Sequence, residues 1–180
     1  SDNGIEKGRT VRMDATVVEA NIHHPTDSNL LFDGIRVGND LLKKLRKILG
    51  IKIYGPIGTK TAKNLMLKIH TAKNDSERKA PYHELISGAK KLVTVLKRAE
   101  SLSECLAPVV RSKLVSLIEI TPLIIDQANR RVFKGESVPA DEKIVSIFEP
   151  HTDIIVKGKR EVEYGHKIFI TAGSSGFISD

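Results

Sequence analysis

The spacing of apolar positions changes twice along this 180-residue chain. In residues 11–22, apolar Val11, Met13, Ala15 and Val17 alternate with Arg12, Asp14 and Thr16. A period of two in a run rich in Val, Thr and Ile predicts a strand. From residue 29 to 49 the repeat lengthens, with Leu31, Ile35, Leu41, Leu42, Leu45 and Leu49 at helical spacing. Gly34 and Gly38 weaken that helix by about 1 kcal/mol each relative to Ala and allow close approach of another backbone; Gly50 stops it. Further amphipathic helices are predicted over residues 61–72, from Pro81 to about Leu102, and over 103–133. Pro122 falls inside the last one and predicts a kink or interruption near Thr121. After Pro139 the strand pattern returns in residues 143–148, 154–156, 166–171 and 176–179, the last two reading as a hairpin across Ala172–Gly173–Ser174–Ser175.

Strand, helical block, then strands again is the layout of a helical insert in an α/β core. The boundaries fall at residues 1–27 (first core strand), 28–138 (insert) and 139–180 (second and third core strands). Four amphipathic helices joined by short polar loops make a bundle, and their apolar stripes read as plain core. The loop His23-His24-Pro25-Thr26-Asp27 ends where Asp27 or Ser28 can cap a helix. Its two histidines have no further Cys or His at zinc spacing and read as structural. The glycines of residues 54–60 do not match the phosphate-binding pattern G-x-x-x-x-G-K-[ST].

Charge sharpens the picture. The net charge is +7, but residues 40–135 hold 20 Lys+Arg against 8 Asp+Glu, a balance of +12, and the rest holds 9 against 14, a balance of −5. The excess belongs to the helical block, which suits either a solvated surface or a polyanionic partner. Hydrophobic residues make up 40% of the chain and aromatics 4%, so the expected core is aliphatic. The single cysteine, Cys105, cannot form an internal disulfide and is expected in the core, which fits a reducing compartment. No apolar run reaches membrane-span length and the first ten residues have no signal-peptide core. The expectation is a cytoplasmic fragment of a longer protein with no membrane partner.

Two blocks carry a resemblance to a known family. Residues 11–34, VRMDATVVEANIHHPTDSNLLFDG, resemble the first catalytic strand of insertion-sequence transposases of the DDE type. Residues 142–180, EKIVSIFEPHTDIIVKGKREVEYGHKIFITAGSSGFISD, resemble the next strands of the same ribonuclease H-like core. The resemblance implies an α/β fold: a partial ribonuclease H-like sheet, strand 1 and then strands 2 and 3, interrupted by an all-helical insert of about four helices. It implies that Asp14 is the first of three metal-binding acidic residues, a catalytic ligand to Mg²⁺. The other two would lie beyond Asp180, so this piece alone would be inactive. Asp180 is not taken as the second, because it ends the third core strand.

The implied activity is metal-dependent cleavage and transfer of DNA strands at the terminal inverted repeats of an insertion sequence, with a homo-oligomer possible. Two Mg²⁺ ions about 4 Å apart serve such phosphoryl transfer, activating the attacking oxygen and stabilising the leaving one. Glu19, five residues past Asp14, falls on the opposite strand face and reads as structural. His166 and Lys167 resemble a recurrent family segment that would line the site or touch DNA; as isolated features they read equally as edge-strand polar residues. The alternative from another class is a non-catalytic helical module that binds DNA or mediates oligomerisation, with Asp14 structural.

Overall fold

A computed structural model describes residues 11–22, 24–102, 106–156, 162–173 and 178–179. They divide into two units: a helical one over residues 24–150, and a sheet drawn from the described residues before His23 and from His151 onward. The fold is mixed α/β, with four helices and a small antiparallel sheet.

In the helical unit, α1 spans Asp27–Leu49, α2 Thr59–Thr71, α3 Asp75–Ser101 and α4 Pro108–Val132. Helices α1 and α3 pack on each other, and α2 and α4 each pack against both. The apolar stripes meet in an aliphatic core in which Leu31, Ile35, Leu42, Leu45, Leu85, Leu92, Leu96, Leu114 and Ile124 are fully buried. Gly38 serves this packing: a Cβ there would stand 2.6 Å from Cδ2 of Leu92. Gly34 faces only Thr121, at ordinary contact distance.

The helix ends follow local chemistry; the starts of α1 and α3 and the course of α4 past Pro122 differ from expectation. Thr26, rather than Asp27 or Ser28, caps α1; its hydroxyl accepts from the Asn29 N–H at 3.2 Å. Gly50 closes that helix at φ 67°, a left-handed conformation a side chain resists. Helix α3 begins six residues before Pro81. Asn74 accepts from the Glu77 N–H at 2.9 Å while the Glu77 carboxylate accepts from the Lys73 N–H at 3.1 Å, a reciprocal cap that fixes the start upstream. Helix α4 runs through Pro122 without a break. The proline ring is exposed, and the preceding Thr121 hydroxyl bonds the Leu117 carbonyl at 2.6 Å. Cys105 lies outside the described residues.

The largest correction concerns residues 143–148, which form no strand. Gln127 of α4 engages the Ile144 backbone from both sides: Oε1 accepts from its N–H at 2.9 Å and Nε2 donates to its carbonyl at 3.3 Å. The Ser146 hydroxyl accepts from the N–H groups of Phe148 and Glu149, each at 3.1 Å. With its polar groups met by side chains, the segment lies on the helical core, where Val145 is buried and Ile144 and Ile147 pack. Apolar alternation cannot distinguish a strand from an extended cover on a helix bundle. The strands after the helices therefore begin at Asp153.

In the sheet unit, β1 spans Val11–Glu19, β2 Asp153–Val156, β3 Val162–Gly173 and β4 Ile178–Ser179. β3 is central: β1 pairs antiparallel along one edge, in register from Val11 opposite Gly173 to Glu19 opposite Gly165, and β2 and β4 pair antiparallel with β3 as well. Gly165 makes the end of the long ladder possible. A Cβ there would meet the Val18 carbonyl oxygen at 2.1 Å and Glu19 Cα at 2.9 Å, so only glycine admits so close a backbone. Apolar side chains stay exposed on both faces, Met13 and Phe169 on one, Val18 and Ile168 on the other.

Two outcomes follow. Leu92→Ala, at a fully buried position between α1 and α3, should cost about 2–5 kcal/mol in denaturant unfolding followed by helical circular dichroism; a loss under about 1 kcal/mol would contradict the core described. Gly165→Ala should raise amide exchange across β1 at least about tenfold while amides in α1 and α3 stay protected; unchanged exchange in β1 would show that the close approach is absent.

Candidate functional site

Asp14 sits mid-strand in β1, opposite Ile170 of β3. Its carboxylate is exposed, and Oδ1 accepts from the neighbouring Ala15 N–H at 2.8 Å. Solvation removes the penalty that a buried mid-strand carboxylate carries. Strand alternation puts Arg12, Thr16 and Val18 on its face, with Ala172, Ile168 and His166 opposite them across the ladder. Lys167 and Glu19 point to the other face, where the Lys167 ammonium lies 6.0 Å from the Phe169 ring.

The pair His166–Lys167 is thereby split. His166 shares the Asp14 face but lies four residues along β3 from the row of Asp14, roughly 13 Å at strand rise. Lys167 cannot line a site centred on Asp14. Glu19 falls on the far face, as alternation requires. The nearest same-face charge on β1 is the cation Arg12, and the other carboxylates paired into the sheet, Asp153 and Glu163, belong to the opposite face.

Among the described residues no three or more His, Cys, Asp or Glu side chains gather to hold a metal ion. Mg²⁺ takes octahedral oxygen coordination and is bound through carboxylates as well as water. The described residues offer one carboxylate at Asp14 and so do not by themselves fit a two-ion site. Asp180 and His23 lie outside the described residues. The His24 carbonyl accepts from the Asn29 side chain at 3.3 Å.

A second polar cluster, at the start of α1, was not singled out by sequence. Asp27 is 5% exposed yet ionically paired: the Arg131 guanidinium donates to both carboxylate oxygens at 3.1 and 3.0 Å, and Gln127 Nε2 donates to Oδ1 at 2.7 Å. Beside it, the Ser28 hydroxyl lies 2.9 Å from His70 Nε2 and 3.1 Å from the Thr26 hydroxyl. Burial pushes the Tyr82 phenol above its ordinary pKa, opposed in part by hydrogen bonds from Ser28. Asp27, Ser28, His70, Tyr82 and Arg131 border an open cleft of about 800 Å³ on the helical unit.

The cleft has the parts of a serine–imidazole pair, but the geometry is that of a clamp. Ser28 is 1% exposed and shared between Thr26 and His70, leaving no approach for a substrate carbonyl. Its cations are largely answered by acids: Arg131 by Asp27, Arg78 by Asp75, Lys134 by Glu136. Thr26 apart, the partners of Asp27 and Ser28 stand 42 to 104 residues away in sequence, and no local pattern marks such pairs.

No described helix is long and apolar enough to cross a membrane. Compared with known proteins, the chain matches no family model and shows no significant similarity to a curated protein or a solved structure.

The clamp generates two expected outcomes. Gln127→Leu keeps the volume but strips bonds from Asp27 and from both sides of Ile144; it should cost about 1–3 kcal/mol in denaturant unfolding, and a neutral result would remove the clamp from the stability of the fold. Because the Tyr82 pKa is raised on folding, its contribution is complete below pH about 10 and is lost as pH rises through the folded value. The stability gap between the unaltered chain and Tyr82→Phe should therefore narrow above that pH; a gap that widens there would reverse the assignment.

Proposed function

We propose that this chain is the part of a DDE-type transposase that supplies the first metal-binding carboxylate, Asp14, of a DNA strand-transfer centre. The ion would be Mg²⁺ and the partner the DNA of the element's own terminal inverted repeats. One observation carries the reading. The outer parts of the two blocks that resemble the family flank the helical unit in sequence, and they pair with each other, residues 11–19 against 165–173, with Asp14 exposed near the middle of that ladder. A carboxylate meant for a metal beside a phosphate needs a rigid strand beneath it and open solvent above it, and Asp14 has both. A ribonuclease H-like sheet is the architecture to which the antiparallel set β1, β3 and β4 would belong under this reading.

The chemistry assigned to the chain's own residues is modest. Asp14 would bind, and β1 and β3 would orient it; the remaining carboxylates would come from outside the described residues. His166, on the same face, would stand along the path of the nucleic acid rather than at the ion. A second reading, a helical module that binds DNA without catalysis, draws on the self-contained core of the helical unit and makes Asp14 an ordinary exposed residue.

The two readings part on one substitution. In a chain extended to carry the further carboxylates, strand transfer from a labelled element end should require Mg²⁺ and should fall more than about 100-fold in Asp14→Ala, beyond the usual upper cost of losing an outer-shell metal partner. The 180-residue chain alone should show no cleavage. Strand transfer that survives Asp14→Ala, or cleavage by the 180-residue chain alone, would overturn the catalytic reading.

A further inference from the structure

Between Asp40 and Asp75 the chain has no acidic residue and nine Lys and Arg. All nine are exposed or half-exposed, and among the described residues none of them forms an ion pair. Elsewhere in the same unit Arg36, Arg78, Arg130, Arg131 and Lys134 have acidic partners, and cations without one among the described residues, such as Lys90, Lys91 and Lys97, stand on a helix that also carries acids. A solvated surface ordinarily mixes both signs. This one does not.

The fold gathers these charges. Asn39 Nδ2 donates to the Ile57 carbonyl at 2.9 Å and to the Thr59 hydroxyl at 3.2 Å, and at the other end of α2 His70 meets Ser28. These contacts hold α2 antiparallel to α1, with the last ten residues of α1 reaching past the start of α2. Lys43 and Arg46, four and seven residues beyond Asn39, share its stripe on α1. The Arg46 guanidinium lies 4.7 Å from the ring of Tyr54 in the connector, which confirms the direction of that stripe. On α2, Lys63 lies one turn past Thr59 on the side facing α1, and Lys60 points outward. The N-cap of α2 is Gly58, with no side-chain cap and no acid in the first turn. Its first-turn N–H groups therefore lack a side-chain cap at the positive dipole end of α2.

We infer that this face, formed by the second half of α1, the connector and the start of α2, docks the phosphate backbone of duplex DNA. The choice of DNA rests on the proposed function; the location of the face rests on charge and geometry alone. Lysines and a helix N-terminus recognise phosphate without reading bases, so binding is sequence-independent and salt-sensitive. Lys44, which lines a separate groove beside α4, and Lys68, turned toward the α3 side of α2, lie off the face.

Binding of the 180-residue chain to a duplex of about two helical turns is measured by fluorescence anisotropy between about 50 and 200 mM salt. In the triple variant Lys43→Ala, Lys60→Ala, Lys63→Ala the slope of log K against log salt should become shallower by about 2 to 3, near 0.9 for each lost phosphate contact. A control triple on exposed α3 positions, Lys90→Ala, Lys91→Ala, Lys97→Ala, should keep the original slope. These side chains are exposed, so helical circular dichroism should be unchanged in both. Equal loss in the two triples, or none in the first, overturns the assigned face while leaving DNA as the partner. Tighter binding to anionic phospholipid vesicles than to the duplex, weakened by the first triple, overturns the choice of partner. Absence of salt-dependent binding by the unaltered chain overturns the inference, and strand transfer dependent on Asp14 remains a separate measurement.

Discussion

The nine-residue antiparallel ladder between β1 and β3 is the constraint on which the functional reading depends. It joins residues 11–19 to residues 165–173 across the whole helical unit. Closing a flexible loop of that length costs about 4 kcal/mol beyond a constant. A helical unit that folds on its own core brings its ends to fixed positions, so the ladder need not bear that entropy alone. The steric limit at Gly165 belongs to the same constraint, because the ladder's last rung exists only where no side chain stands between the two backbones.

In the helical unit the corresponding role falls to a few polar contacts at the edge of an aliphatic core. Asp27, Gln127 and Arg131 tie the start of α1 to the end of α4 and, through Ile144, to the covering segment. The Asp27 carboxylate is buried while the Arg131 side chain is exposed, so losing Arg131 or Gln127 leaves a buried charge less well answered. The effect of these contacts is to select one arrangement of the helices. Hydrophobic stripes alone permit several.

The electrostatics of the helical unit are divided the same way. At the N-terminal ends of α1 and α3 the cations pair with nearby acids, and the helix starts carry their own caps. From the second half of α1 through α2 no such neutralisation occurs among the described residues. A surface whose field is left unanswered attracts counter-ions, and a polyanion supplies many of them at once.

The sequence by itself determined the elements set by short-range periodicity: a strand around Asp14, four amphipathic helices, later strands, and a basic middle. It also carried the resemblance from which the role of Asp14 is proposed. The cap Asn74-x-x-Glu77 was legible, and would have moved the start of α3 six residues upstream of Pro81. Tertiary structure decided the rest. It turned residues 143–148 from a strand into a cover on the helices, because Gln127 meets the backbone of Ile144. It gave His166 rather than Lys167 the Asp14 face, because strand alternation separates the two and register against β1 decides which one shares that face. It set Asp27 beside Arg131, 104 residues away. The physical reason is common to all three: periodicity records which side of an element is apolar, whereas the identity of the group that meets each polar atom depends on contacts between residues far apart in the chain.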